Sequence, residues 1–480
     1  MKDLLKANSY KLTAGSRIHL IGIKGVGMTA LAQVLLSRGC IVTGSDGPEI
    51  FFTDEVLKRL NIPVAQKFSA DNIPADVDLV ISSTAYYFDG KALGGNIEAQ
   101  SAINRGLPIM TYPQALGQLA GEYQVIAVAG SHGKSTTTAM LGWIFEKIGF
   151  DPNVIVGTKV NKWESNARVG KGPHLIVEAD EYREAFLNYE PDGAIVTSID
   201  YDHPDYFKTP ESYTQAFYKL VDKIKEGGWL VVCGDHAETR ALAQYGQKRG
   251  LRVLTYGFEA GNKMCRLEDG GVIQKGIFKK RAQQAFSCTF YGKEIVDAIP
   301  FPGKQYVLNA GASVASAVLA GASVEEAVRA LADFPGTARR LQTLVDKSGY
   351  VIIDDYAHHP TAITITLEGV RSLYPNRKIV CVFQPHMFSR TQALLNEFAN
   401  SFGPADVVGI MEIFPSAREV SGPVRGEDLA RETAKVHNAV TYLPTMESGR
   451  DFVKQYKKDK NVIVLMGAGD VYEIAGEGKF

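Results

Sequence analysis

Gly130-Ser131-His132-Gly133-Lys134-Ser135-Thr136-Thr137-Thr138 is the stretch whose reading decides this chain. It follows an apolar run, Val125 to Ala129, expected as a buried strand. It leads into Thr138 to Gly149, where apolar residues recur at helical spacing. Strand, glycine turn carrying Lys-Ser, then helix is the setting in which a loop cradles phosphate. Successive backbone N–H groups and the helix N-terminus favour an anion, Lys134 can reach terminal phosphates, and the Ser135 hydroxyl is placed to ligate Mg²⁺. Gly130, Ser131, His132, Gly133, Lys134, Ser135 and Thr136 are therefore the candidate nucleotide-phosphate residues. The loop is shorter than G-x-x-x-x-G-K-[ST], because only Ser131 and His132 separate its glycines.

A second glycine loop comes earlier. Arg17 to Ile23 reads as a strand, and Gly22-Ile23-Lys24-Gly25-Val26-Gly27-Met28-Thr29-Ala30 follows. Gly25, Gly27 and Ala30 fit the relaxed G-x-G-x-x-[GA] fingerprint, with Asp46 about twenty residues on. The pattern specifies a pyrophosphate site with a carboxylate for a ribose or base. It does not distinguish NAD from another nucleotide diphosphate.

Apolar strand-like runs alternate with amphipathic helical stretches throughout, the pattern of parallel α/β sheets. The 480 residues suit about three domains. We expect boundaries at 1–115, 116–337 and 338–480, with a polar, glycine-bearing region between Phe258 and Gly303 carrying antiparallel excursions. Third-domain strands are expected at Val351 to Asp355, Lys378 to Phe383, Asp406 to Ile413 and Val462 to Met466, with helices at Ala362 to Leu373 and Thr391 to Phe402. Fifty-two basic against 53 acidic side chains give no electrostatic footprint for nucleic acid or an anionic membrane. No apolar run reaches the ~20 residues of a membrane span. Met1 to Ser16 is polar and lacks a signal peptide's apolar stretch. Cys40, Cys233, Cys265, Cys288 and Cys381 are scattered without a C-x-x-C pair, and read as reduced core thiols of a cytoplasmic enzyme. Nothing in the pattern specifies an oligomeric state.

Taken together, the motifs resemble the Mur ligase family of ATP-dependent amide-bond-forming ligases. The short phosphate loop has the family's form. His174 to Asp180 (HLIVEAD) is similar to the strand ending in a metal-binding glutamate, here Glu178. Gly193 to His203 (GAIVTSIDYDH) is similar to the next strand and its metal-binding His203. Asp354-Asp355-Tyr356-Ala357-His358-His359-Pro360 resembles the opening of the third domain, and Phe383 to His386 followed by Ser389-Arg390-Thr391 resembles the family's first, alanine-adding branch. The implied fold is three α/β domains: Rossmann-like, P-loop-type ATPase, then Rossmann-like.

The resemblance implies UDP-N-acetylmuramate, L-alanine and ATP as substrates, with Mg²⁺ held by Ser135, Glu178 and His203. Asp180 and Glu181 are read as accessory or solvated acids. The sugar nucleotide is expected at Gly22, Gly25 and Gly27, with Ser45 and Asp46 at the uridine end. Asn309, in a G-x-H-N-x-x-N-like segment where Gln305 and Tyr306 replace His and Asn, is expected near the ATP base, and Asp355 near its ribose. Arg340, in Gly336 to Arg340 (GTARR), is expected to stabilise phosphate charge. With Lys134, Glu178 and His203 it makes up the implied catalytic set. Tyr356, His358, His386 and Arg390 are implied to form the amino-acid pocket, and Met387 stands where some members carry arginine. Several sibling ligases carry a carbamylated lysine beyond the metal histidine. Here the stretch about fifteen residues beyond it, Gln215-Ala216-Phe217-Tyr218, offers no lysine until Lys219, as in the alanine-adding branch. A recycling ligase attaching a ready-made tripeptide, a NAD-dependent oxidoreductase and a non-catalytic nucleotide-binding module are the competing readings.

Overall fold

The computed structural model describes residues 12–259, 265–273, 283–290, 292–415 and 419–476. The polar start of the chain, as far as residue 11, lies outside the described residues. Strands β1 (Arg17–Ile21), β2 (Ile41–Ser45), β3 (Val64–Ala65), β4 (Leu79–Ser82), the two-stranded β5 (Tyr87–Phe88) and β6 (Lys91–Ala92), and β7 (Ile109–Thr111) come first. Five of them form a parallel sheet in the order β3-β2-β1-β4-β7. Strand β1 has four buried residues in succession, as a parallel strand covered on both faces requires, and the one polar residue among them, His19, is bonded to Thr43.

Next come β8 (Gln124–Ala129), β9 (Asn153–Val160), β10 (Ser165–Arg168), β11 (His174–Glu178), β12 (Gly193–Val196), β13 (Trp229–Cys233) and β14 (Arg252–Gly257), ordered β10-β9-β11-β8-β12-β13-β14. Strands β8, β11 and β12 are parallel neighbours with β8 in the middle, so the loops leaving their carboxyl ends converge. The expected helix after the phosphate loop starts at Lys134, not Thr138, and ends at Lys147. It is buried from Ser135 through Phe145, so it is a core helix and not the one-sided surface helix that apolar spacing describes.

The chain divides into two compact units, Met1–Ile199 with Gln215–Thr255 and Ala312–Ala330, and Asp200–Thr214 with Tyr256–Gly311 and Leu331–Phe480. In the second, β15 (Cys265–Ile273), β16 (Gln283–Phe290) and β17 (Lys293–Ile299) form an antiparallel meander. These are the excursions expected between Phe258 and Gly303. Cys265 and Cys288 lie there with sulfurs 3.5 Å apart, and all five cysteines are free and buried.

Strands β18 (Gln342–Lys347), β19 (Tyr350–Asp355), β20 (Ile379–Phe383), β21 (Val407–Met411), β22 (Val440–Leu443) and β23 (Asn461–Met466) make a six-stranded sheet, β18-β19-β23-β20-β21-β22, with only the edge β18 antiparallel. The one helix expected over Thr391 to Phe402 is two, Phe388–Ala393 and Leu395–Ala399, because Leu394 leaves helical geometry. Among the described residues no helix is long and apolar enough to cross a membrane.

Gly193 opens β12 opposite Trp229 of β13. A Cβ on Gly193 would lie 2.0 Å from the indole. Gly193→Ala should therefore destabilise the protein by about 1–3 kcal/mol through overpacking. A urea midpoint equal to the wild type's would refute that packing.

Candidate active site

The phosphate loop is built at the end of β8 and braced from β12. Gly130 has φ +124°, and a Cβ there would meet the Thr197 hydroxyl at 2.2 Å and the Thr197 backbone nitrogen at 2.8 Å. The Ser131 N–H donates to the Ser198 carbonyl at 3.0 Å, and the His132 N–H donates to the Ser198 hydroxyl at 3.1 Å. Gly133, at φ +79°, caps the helix that begins with Lys134. Both glycines occupy backbone conformations that L side chains rarely adopt.

The Lys134 ammonium donates to the Gly130 carbonyl at 2.5 Å and to Glu181 at 3.0 Å. The other Glu181 oxygen lies 2.9 Å away, and the Glu181 side chain is 1% exposed. Burial pulls the ammonium toward neutrality, but Glu181, Asp180 and Glu178 outweigh it and hold its pKa above the ordinary lysine value. Lys134 is therefore charged and aimed along its own loop. The reading of Asp180 and Glu181 as one class of accessory acid divides here: Asp180 is exposed, whereas Glu181 is the buried partner of the lysine.

The Ser135 hydroxyl donates to Glu178 Oε1 at 2.8 Å, and the Gly157 N–H donates to Oε2 at 2.5 Å. Two of the three expected cation ligands are thus side by side at the end of β11. Hydroxyl and carboxylate are hard oxygen donors that fit Mg²⁺. His203 belongs to the second unit. It sits at φ +58°, and its N–H donates to Asp202 Oδ1 at 2.7 Å. Lys219, the lysine that follows the Gln215-Ala216-Phe217-Tyr218 stretch, is paired with Glu184 at 2.6 Å.

The earlier glycine loop turns at Gly22, φ +81°, and Gly25 is the N-cap of the helix Val26–Ser37, which has no acidic residue in its first turn. That leaves its N-terminal field open to an anion. Asp46 accepts from the N–H groups of Lys24 at 2.7 Å and Gly47 at 2.8 Å. Burial nonetheless raises its pKa, with those N–H bonds acting the other way. Ser45 is fully buried, and its hydroxyl donates to the buried Glu98. The Lys24 side chain is also buried. It donates to the Gly47 and Glu49 carbonyls and to Gln66, and pairs with Asp54 at 3.0 Å.

In the second unit, Asp355 accepts from the Leu341 and Ala357 N–H groups at 2.8 and 2.9 Å. Burial raises its carboxyl pKa, with the Arg340 charge opposing. Arg340 lies over the Tyr356 ring at 5.3 Å. Asn309 is buried on the helix Lys304–Leu319. The Tyr356 and His358 rings are 5.3 Å apart, and those of His358 and His386 6.4 Å. Burial and the Arg390 charge push the His358 pKa well below the ordinary histidine value. Three of the expected amino-acid pocket residues are therefore neighbours. Arg390 is engaged: its guanidinium donates to both oxygens of the buried Asp202 at 2.8 and 3.1 Å. Met387 is buried and caps the helix Phe388–Ala393 at φ 70°.

Sequence reasoning missed Asp202 as the partner of Arg390 and named Glu181 only as an accessory acid, not as the partner of Lys134. Asp202 and Glu181 adjoin recognised motif residues, and that adjacency was the available signal.

Residues 17–124 match the Mur ligase family catalytic domain, 128–317 the Mur ligase middle domain, and 339–469 the Mur ligase glutamate ligase domain. The chain is 38% identical over 461 residues to the UDP-N-acetylmuramate–L-alanine ligase of Desulfitobacterium hafniense, covering 95% of this chain and 98% of that one. It is 37% identical over 473 residues to the ligase of the same name from Treponema pallidum, covering 96% and 95%. Its fold matches the crystal structure of UDP-N-acetylmuramate-alanine ligase from Thermotoga maritima with a TM-score of 0.77 at 26% identity, over 96% of this chain and 97% of that one. It also matches a murein peptide ligase from Psychrobacter arcticus, TM-score 0.70 at 22% identity, over 96% and 98%. Matched from end to end, and with the phosphate loop, the Glu178 strand and the third-domain motifs in family order, the chain belongs to the Mur ligase family and has its three-domain α/β fold.

Proposed function

We propose that this chain joins L-alanine to UDP-N-acetylmuramate in the cytoplasm, converting ATP to ADP and phosphate during peptidoglycan precursor synthesis. The observation that carries the reading is the charged Lys134 of the glycine loop beside the Ser135–Glu178 pair. That machinery suits phosphoryl transfer and has no part in hydride transfer. The relatives at 37 and 38% identity bear the alanine-ligase name, whereas likeness to the murein peptide ligase at 22% identity extends to the fold alone. We assign residues 1–115 to the sugar nucleotide, 116–337 to ATP and 338–480 to the amino acid.

The reaction is two substitutions. A carboxylate oxygen of the muramyl group attacks the γ-phosphorus, the bond to the β-phosphate oxygen breaks, and ADP leaves an acyl phosphate. The alanine nitrogen then attacks the acyl carbon, phosphate departs with the C–O bond pair, and the nitrogen gives up its proton. Lys134 places a fixed positive charge where the transferring phosphoryl group gathers negative charge, the dominant contribution in such chemistry. The loop N–H groups other than those of Ser131 and His132, which are tied to Ser198, orient the phosphates. Mg²⁺ held by Ser135 and Glu178, with His203 as a further ligand, would supply charge neutralisation on the phosphate oxygens. Tyr356, His358 and His386 lie ring by ring as a wall against which a short amino acid could sit, and Arg340 adds a cation in the same unit.

Two outcomes test the reading. ADP release should require both UDP-N-acetylmuramate and L-alanine, and Lys134→Ala should cut kcat by about 10²–10³ while unfolding like the wild type. Release independent of L-alanine, or near-normal turnover in the variant, would defeat the assignment. Glu178→Gln and His203→Ala should each lower the rate in a manner that raised Mg²⁺ partly restores. A variant with unchanged rate and unchanged Mg²⁺ dependence would show that its residue holds no cation.

A further inference from the structure

Tyr112 packs against Gly27 of the earlier glycine loop, and nothing in the chemistry above uses it. It is the first residue of the helix Tyr112–Ala120, whose start is fixed by Thr111, Pro113 and a reciprocal Thr111–Gln114 cap. The Thr111 N–H donates to Gln114 Oε1 at 2.8 Å. Its ring lies flush against the second residue of the helix Val26–Ser37. A Cβ on Gly27 would be 2.7 Å from Tyr112 Cζ and 3.0 Å from its hydroxyl oxygen. Gly27 therefore gives up its side chain to Tyr112, and the hydroxyl arrives at the open first turn of a helix with no acidic residue there.

Burial raises the phenol's pKa, and the carboxylates of Glu178 and Asp180 add to the shift. At working pH the group is thus an O–H donor and never a phenolate. Part of the side chain remains open to solvent. The hydroxyl makes no hydrogen bond to a described residue, although Tyr189 packs near enough for its own phenol to feel Tyr112. A donor held over a helix N-terminus, with its ring braced on glycine, matches an anionic oxygen bound to that turn.

We propose that Tyr112 is a binding residue of the ligation, its hydroxyl donating to a diphosphate oxygen of the sugar nucleotide seated on Gly25-Val26-Gly27. The inference rests on the reading of that loop as the sugar-nucleotide site. The hydroxyl adds a directed donor to a diphosphate otherwise held by backbone N–H groups.

Tyr112→Phe isolates the hydroxyl, because phenylalanine keeps the ring against Gly27. Calorimetry on the full chain should show Kd for both UDP and UDP-N-acetylmuramate raised about tenfold or more, as loss of a bond to a charged group implies. The KM for ATP, kcat at saturating sugar nucleotide and the urea midpoint should stay within about twofold of the wild type. A wild type that binds neither UDP nor UDP-N-acetylmuramate would remove the sugar-nucleotide reading itself. Equal affinities in wild type and variant would overturn the role of Tyr112 while leaving that reading standing. Weakened UDP-N-acetylmuramate with unchanged UDP would overturn the diphosphate assignment.

Discussion

The phosphate loop depends on a contact that leaves no space for a side chain. Gly130 is pressed against Thr197 and Ser198 at the end of the neighbouring strand β12, and the Ser131 and His132 N–H groups are tied to Ser198. Because β8 and β12 are hydrogen-bonded in parallel register, the turn inherits the rigidity of the sheet. From that fixed turn follow the entry angle of the buried helix, the direction of the Lys134 stem and the meeting of Ser135 with Glu178. Loops are ordinarily the mobile part of an α/β fold. Here two adjacent strands clamp one from below.

Much of this was legible in the chain. Glycines, Lys134 and Ser135 announce their loop because the backbone geometry admits few other residues, and Glu178 stands at the close of an apolar run that can only be a buried strand, whereas His203, expected at such a close too, lies beyond the end of β12 at Val196. The antiparallel meander was foreseen in kind but not in register, since polar, glycine-bearing strands have a weak alternation to read. The helix over Thr391 to Phe402 was foreseen as one, because its break at Leu394 carries neither glycine nor proline.

The partners of the charged side chains were not legible. Glu181 pairs with Lys134 across 47 residues and Arg390 with Asp202 across 188, and pairing at such separations is set by tertiary packing. The same holds for Ser45, whose position at the end of β2 is right for a ligand contact but whose hydroxyl is turned to Glu98. Local spacing tells which residue types reach a strand's end. It does not tell which of them point outward once neighbouring elements have made their claims.

The pairing of Lys134 with Glu181 has a consequence for how nucleotide binding should couple to protons. A lysine held neutral by burial would have to take up a proton when phosphates arrive, and the observed binding heat would then vary with the buffer's own ionisation. Here the ammonium is charged beforehand, because Glu181 has already met the cost of bringing it out of water. Incoming phosphates share a cation that exists and do not create one. The lysine therefore contributes no protonation step to nucleotide binding near neutral pH, and the loop's grip on phosphate is insulated from the acidity of its surroundings.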